Sequence, residues 1–121
     1  MIQFTTLGSS DMKRSAAFYD LLAGVLGGAR VAEFGAAIAW GNGRGSALAL
    51  IPPWNQEEAA PGNGAMVALD AMDRAMVDRA YQVALSAGGS CEGPPGERNP
   101  GFYAAYFRDP DGNKLAAVKR D

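Results

Sequence analysis

Histidine is absent from this chain of 121 residues, and its absence limits the chemistry that the other side chains can perform. Histidine is the commonest metal ligand and the usual proton carrier near neutral pH. A Ser-His-Asp triad, a Cys-His pair and a histidine-based zinc site are therefore excluded. The single cysteine, Cys91, likewise excludes a multi-cysteine zinc or iron–sulfur site. A hard-cation site built only from carboxylates stays open.

The remaining reactive side chains are scattered along the chain without the spacing of a catalytic pair. Such isolated carboxylates are Glu33, Glu57, Glu58, Asp70 and Glu92. Cys91 has no base or cation beside it in sequence, which favours a packing role over a nucleophilic one. The Gly-Asn-Gly-Arg-Gly run at 41–45 lacks the Gly-Lys-Ser/Thr ending of a phosphate-binding loop, so it predicts a hairpin turn.

Two tryptophans and one arginine are stronger candidates for contacts with a small molecule. Trp40 and Trp54 each lie at the end of a predicted strand, where a large ring can wall a cleft or pack half-exposed. Arg98 lies in a loop rich in proline at 94–100, where it could pair with an anionic or carbonyl group of a ligand. The alternative for Arg98 is an ordinary solvated charge.

Two similar runs, each of strands and one helix, must position these residues. Apolar residues at helical spacing follow Asp11 and Asp73, which are N-cap candidates, and paired glycines end each run. The predicted elements are, in order, a strand at 2–7, a helix at 12–26, strands at 29–33, 36–40 and 46–51, a linker at 55–64, a strand at 66–70, a helix ending at 87, a strand at 90–93, a loop at 94–101, and strands at 102–107 and 115–118.

The last two strands are predicted to form a hairpin around a strong turn sequence, Asp-Pro-Asp-Gly at 109–112. Its proline presets φ, its aspartates bond to nearby backbone, and its glycine accepts a positive φ. On the strand before the turn, Phe102 and Tyr106 face one side of the sheet and Tyr103 faces the other. The hairpin therefore closes the second run of elements.

A weak internal repeat relates the two runs. Asp11 and Tyr19 recur as Asp73 and Tyr81 at the same separation, and the order of elements is the same in both. This favours duplication of one strand–helix–three-strand unit. The alternative is two unrelated halves of similar composition.

Length and charge narrow the class of protein further. A chain of 121 residues fits one domain. Its net charge of −2, without a basic cluster, argues against nucleic acid or an anionic membrane as a partner. No apolar run approaches the ~20 residues of a membrane span. The N-terminus lacks a signal-peptide pattern and one cysteine cannot form an internal disulfide, so a cytoplasmic location is expected.

Two segments resemble a known family. "SDMKRSAAFYDLLAGVLG" and "FRDPDGNKLAAV" are similar to the glyoxalase/bleomycin-resistance/extradiol-dioxygenase (vicinal oxygen chelate) superfamily. The resemblance covers essentially the whole chain. It implies an α+β fold in which two βαβββ modules form a curled, incomplete-barrel sheet with a ligand cleft. We expect one domain, with module one at 1–54, the linker at 55–64 and module two at 65–121.

The resemblance also assigns positions to the metal ligands of the family, one on the first and one on the last strand of each half. In this chain they fall on Phe4, Ala49, Met66 and Ala116, none of which can supply a carboxylate or an imidazole. This departure implies the metal-free branch, typified by drug-binding resistance proteins, with no metal or other cofactor. Phe4 and Met66 could line the cleft or simply pack in the core.

The resulting hypothesis is a homodimer that binds a partly apolar or aromatic small molecule in a cleft. Similar sequences place a tyrosine of the strand before the turn at this cleft, and Tyr103 is favoured over Tyr106. The predicted cleft residues are Phe4, Trp40, Ala49, Trp54, Met66, Arg98, Tyr103, Tyr106 and Ala116.

Two alternatives stay open. One is a lyase-like or dioxygenase-like enzyme of the same fold, metal-free or with non-standard ligands, whose base is a Glu or Asp of raised pKa. The other is an interaction module with a filled core. A buried carboxylate in the cleft would favour the enzyme.

Overall fold

A computed structural model describes all 121 residues and shows two modules, each built as βαβββ. The first module consists of β1 (Phe4–Gly8), α1 (Met12–Val25), β2 (Ala29–Phe34), β3 (Ala37–Gly41) and β4 (Ala47–Ile51). The second consists of β5 (Val67–Asp70), α2 (Arg74–Ser86), β6 (Ser90–Asn99), β7 (Phe102–Arg108) and β8 (Lys114–Arg120). The predicted α+β fold with two modules is confirmed.

Each module contributes one four-stranded sheet, and the two sheets have the same strand order. The orders are β1-β4-β3-β2 and β5-β8-β7-β6. The first strand of each module pairs in parallel with the last, while the other pairs are antiparallel. Strands β1 and β5 therefore each leave one backbone edge without a partner strand in the chain.

The helices begin and end as the sequence predicts. The carboxylates of Asp11 and Asp73 each accept a hydrogen bond from a backbone N–H three residues later, at 3.1 and 2.7 Å. Gly27 and Gly88 follow the helices with φ of +80° and +101°, which side chains with a Cβ rarely adopt. Neither helix is long and apolar enough to cross a membrane.

One hydrophobic core joins both modules. It consists of 16 buried residues and includes Phe18 and Leu22 of α1, Val77 of α2, and Phe107 and Leu115 of the second sheet. Side chains alternate along a strand, so the neighbours of these strand residues point to the opposite side. We call that side of the second sheet, turned away from the helices, the open face. It carries Ala68, Ala104, Tyr106, Lys114 and Ala116, of which Ala104 and Ala116 are 0% exposed.

The loop predicted at 94–101 is wrong, because β6 continues through Ser90–Asn99. Its pairing with β7 shifts register between Gly93 and Gly96. Pro94 and Pro95 lie within this irregularity, where the missing N–H groups of proline do not interrupt the ladder. Proline therefore marks a bulged edge strand here, not the end of a strand.

The Asp-Pro-Asp-Gly turn does more than close its hairpin, because it also binds the start of α1. The Asp111 carboxylate accepts hydrogen bonds from the Ser10 backbone N–H at 3.0 Å, from Arg14 Nη2 at 2.9 Å and from the Ser15 hydroxyl. The Asn113 side-chain amide donates to the Gly8 carbonyl at 3.0 Å. These contacts connect residues about a hundred positions apart in the sequence and hold the two modules together.

Candidate ligand-binding site

A cavity of about 510 Å³ lies between α1, the first sheet and the free edge of β5. Its apolar walls include Leu22, Leu26, Trp40, Leu48, Met66 and Leu69. Asn42, Arg44 and Ser46, from the turn between β3 and β4, lie at its rim. A concave apolar space with a few polar groups at the rim is the usual form of a small-molecule site.

Trp40 is the best-fixed aromatic wall of this cavity. Its indole Nε1–H donates to Asp20 Oδ1 at 2.9 Å, and its ring lies 5.2 Å from the ring of Tyr19. Arg30 binds the same Asp20 carboxylate and lowers its pKa, an effect that burial opposes and the Trp40 hydrogen bond reinforces. The ring is only 4% exposed, so its orientation is held by packing and by a hydrogen bond.

The open face of the second sheet brings together three other predicted cleft residues. Ala116 is the cross-strand partner of both Tyr106 and Ala68, so these three residues form a row across β7, β8 and β5. The Arg98 guanidinium carbon lies 5.3 Å from the centre of the Tyr106 ring, and Lys114 Nζ lies 5.6 Å from it. A row with two small side chains therefore ends at an aromatic ring flanked by two cations.

Tyr103 lies on the helix side of the same sheet. Its hydroxyl donates to Asp78 Oδ1 at 2.7 Å, and the Arg74 guanidinium carbon lies 5.0 Å from its ring centre. The hydrogen bond to Asp78 raises the pKa of Tyr103, with burial adding to it. Tyr103 therefore lies on the opposite side of the sheet from Tyr106. This geometry does not support the choice of Tyr103 over Tyr106 for a cleft on the open face.

The chain matches the family model described as Glyoxalase/Bleomycin resistance protein/Dioxygenase superfamily over residues 1–117. The chain belongs to this superfamily. None of the curated proteins matches it.

Solved structures of the superfamily show the same fold. A glyoxalase/bleomycin resistance protein from Albidiferax ferrireducens T118 is 33% identical, with a TM-score of 0.91 over 100% of this chain and 99% of that one. A glyoxalase-related enzyme from Fulvimarina pelagi is 25% identical, with a TM-score of 0.77 over 98% and 86%. A lactoylglutathione lyase from Agrobacterium tumefaciens is 24% identical, with a TM-score of 0.69 over 98% and 92%, and shows likeness of fold alone.

The four positions that the resemblance assigns to superfamily metal ligands fall into two equivalent pairs. Ala49 pairs with Thr6, two residues after Phe4. Ala116 pairs with Ala68, two residues after Met66. Phe4 lies on β1, whereas Met66 directly precedes β5, so each pair joins the start of a module to its last strand. Phe4 is 56% exposed and Met66 45% exposed, so neither is a core residue.

No group of three or more histidine, cysteine, aspartate or glutamate side chains is placed to hold a metal ion within this single chain. The absence of a metal cofactor stays a prediction from Phe4, Ala49, Met66 and Ala116. Of the other predicted residues, Trp54 is 97% exposed beyond the end of β4 and lies outside the cavity.

The carboxylates of Asp109 and Asp111 are buried, but they lie in the turn and not along the cavity. Asp109 is 3% exposed. Its Oδ1 accepts from the backbone N–H groups of Asp111 and Asn113, and its Oδ2 accepts from the Tyr19 hydroxyl at 2.6 Å and the Asn113 amide at 2.9 Å. Four donors therefore occupy its two oxygens, which leaves little acceptor capacity for a substrate proton.

Sequence reasoning missed Lys114 and Ala68 as members of the open face. The sequence did contain a signal for Lys114, because side chains alternate along β8 and this puts Lys114 on the same side as Ala116. Finding Ala68 also required the register between β5 and β8, which the sequence does not state.

Proposed function

We propose that this member of the superfamily is a metal-free binding protein for a small, partly apolar organic molecule, and that it works as a homodimer. The cavity beside Trp40 is the observation that carries this proposal. Its volume of about 510 Å³ is in the range typical of small-molecule sites, roughly 300–1,000 Å³. Two predicted cleft residues, Trp40 and Met66, are among its walls.

The hydrogen bonds of Asp109 favour binding over catalysis. In a chain without histidine, a general base would be a carboxylate with a raised pKa and free acceptor capacity in the site. The buried carboxylate of Asp109 accepts four hydrogen bonds, and neither it nor the buried carboxylate of Asp111 lines the cavity. The lining residue Asp70 is exposed to solvent, so it is not a buried base of the kind that such an enzyme requires.

Exposed apolar side chains near the free strand edges support the homodimer. Ile2 and Met66 line the cavity and are 60% and 45% exposed, and Phe4, the first residue of β1, is 56% exposed. The free edges of β1 and β5 offer unpaired backbone groups next to these side chains. A second copy of the chain that covers both edges would bury this apolar surface and close the mouth of the cavity.

The test of this proposal is a fluorescence titration with N-phenyl-1-naphthylamine, an uncharged aromatic probe whose emission rises in apolar surroundings. We expect saturable binding to the wild-type protein. Ser46→Trp should weaken it by about ten-fold or more, because the exposed Ser46 lies at the cavity rim and a large ring there would fill the mouth.

Ser86→Trp is the matched control, since Ser86 is also exposed but lies at the end of α2, outside the cavity. It should bind the probe as the wild type does. Equal binding by both variants, or no saturable binding by the wild type, would reject the cavity as the ligand site.

A further inference from the structure

We propose that the cavity beside Trp40 selects an extended molecule with an amide backbone, an acylated apolar amino acid or a short apolar peptide. The ligand pairs with the free edge of β5 at Ala68, as an added strand would. This inference rests on the proposed function, because it names the class of ligand for the same cavity.

The free edge of β5 forms part of the cavity wall. Five consecutive residues, from Met66 to Asp70, line the cavity. Successive side chains of a strand point to opposite faces of its sheet, so a space that touches all five borders the edge of the strand. β5 is the outermost strand of its sheet and pairs only with β8. A ligand in the cavity therefore meets the backbone of β5.

The backbone groups of Ala68 point to this free edge. The Ala71 N–H donates to the Val118 carbonyl of β8 at 2.9 Å. Backbone groups of successive residues point alternately to the two edges of a strand, so Leu69 points to β8, whereas Ala68 and Asp70 point away from it. No other strand, turn or side chain bonds to Ala68. Its N–H and its C=O are thus one free donor and one free acceptor.

This donor and this acceptor define the chemistry of the ligand. In an antiparallel pair, two residues directly opposite each other exchange both N–H···O bonds. The matching group of a ligand is therefore an amino acid residue that carries its own N–H and C=O. Main-chain hydrogen bonds at a sheet edge are a general means of binding extended peptides. A purely aromatic ligand would leave both groups of Ala68 without a partner.

The surroundings of Ala68 favour apolar groups on either side of the paired residue. Val67 and Leu69 point to the side of the sheet that carries the buried Leu115 and Ala117. Ligand groups next to the paired residue point the same way, toward the apolar walls of the cavity. The second copy in the proposed dimer closes the mouth from outside, so it does not compete with a ligand at Ala68.

The experiment compares two uncharged probes that differ only in the hydrogen-bond donor. One is 2-naphthoyl-L-alanine N-methylamide, and the other is its L-lactic acid analogue, in which an ester oxygen replaces the alanine N–H. Isothermal titration calorimetry with the wild-type protein should show that the amide binds about five-fold or more tightly, because the ester leaves the Ala68 carbonyl unpaired.

Ala68→Pro removes the free N–H and puts a ring carbon at the edge, so it blocks both hydrogen bonds. The sheet tolerates proline where an N–H makes no ladder bond. The two probes should bind this variant with affinities within about two-fold of each other. Thr6→Pro is the matched control, because Thr6 points to the free edge of β1 by the same alternation but lies outside the cavity. It should keep the preference for the amide.

Hydrogen exchange gives a reading that needs no variant. A saturating concentration of the amide probe should slow exchange of the Ala68 N–H by about ten-fold or more relative to the free protein. The Leu69 N–H already bonds to β8 and serves as the internal reference. An unchanged rate at Ala68 would reject the pairing, whether or not Ala68→Pro folds.

Equal affinities of the two probes for the wild type would also reject the pairing, as would a preference for the amide that persists in Ala68→Pro. Loss of the preference in Thr6→Pro as well would show an effect that is not specific to β5. If N-phenyl-1-naphthylamine binds while the two naphthoyl probes bind equally, this inference fails alone. If none of the three binds the wild type, the cavity fails with it.

Discussion

At the scale of single residues, the hydrogen bonds of the closing turn have the clearest energetic consequences. Asp109 and Asp111 each bind side chains of α1, and the Asp111 side chain is 5% exposed. A buried carboxylate that loses a donor is left with unsatisfied acceptor capacity, at a cost of about 1–3 kcal/mol. These two residues thus couple the stability of the second module to that of the first.

The repeated tyrosines provide a matched pair of variants. Tyr19→Phe removes the buried hydroxyl that donates to Asp109, and we expect the free energy of unfolding to fall by about 1–3 kcal/mol. Tyr81→Phe, at the equivalent position of the second helix, removes a hydroxyl whose side-chain partner is the exposed Cys91 and should cost under about 0.5 kcal/mol. Urea unfolding followed by circular dichroism measures both, and equal costs would contradict the role of the Tyr19 bond.

The pH dependence of stability should report Asp111. Burial acts to raise the pKa of this carboxyl, but its hydrogen bonds from Ser15 and Ser10 and the nearby Arg14 together hold it below the usual value. A lowered pKa in the folded state stabilises the protein above the unfolded pKa of about 3.9, and this contribution is lost as pH falls below it.

Asp111→Asn should therefore lower the free energy of unfolding at pH 7 by about 1–3 kcal/mol. The difference from the wild type should shrink when unfolding is repeated at successively lower pH below about 4. Glu58→Gln, a change at an exposed residue without a hydrogen-bond partner in the structure, serves as the control. A difference that does not change between pH 7 and pH 3 would mean that the Asp111 charge is not responsible.

At the scale of elements, β6 shows where local sequence and tertiary context disagree. Its prolines predict a loop, yet the chain there forms a bulged edge strand whose glycines accommodate Arg98. The helices and their N-caps were predictable, because helical spacing and capping are local signals. The placement of Trp40, and of Tyr106 and Ala116 together, depends on strand register and on packing between modules, neither of which a local pattern contains.

At the scale of the whole molecule, the strand edges without a partner strand are the feature that bears most directly on dimer formation. The edge strands β1 and β2 of the first sheet each carry an exposed phenylalanine, Phe4 and Phe34 at 56% and 75% exposure. Only Phe4 lies on the edge that adjoins the cavity region. The proposed dimer uses that edge.

Native mass spectrometry tests the dimer directly. The wild type should show a species of twice the chain mass, and Phe4→Glu should shift it to the monomer, since a carboxylate would be buried at the interface. Phe34→Glu introduces the same charge on the opposite edge and should leave the dimer intact. A monomeric wild type, or equal loss of dimer in both variants, would contradict an interface at β1.

The central claim, that a small molecule occupies the cavity beside Trp40, can be tested by ¹⁵N–¹H NMR of the two indole N–H groups during titration with N-phenyl-1-naphthylamine. Trp40 lines the cavity and is hydrogen-bonded to Asp20, whereas Trp54 is 97% exposed and lies outside it. We predict that the Trp40 signal, assigned with Trp40→Phe, shifts in a saturable manner while the Trp54 signal does not. A Trp40 signal that does not shift at saturating probe would contradict binding of a small molecule in this cavity.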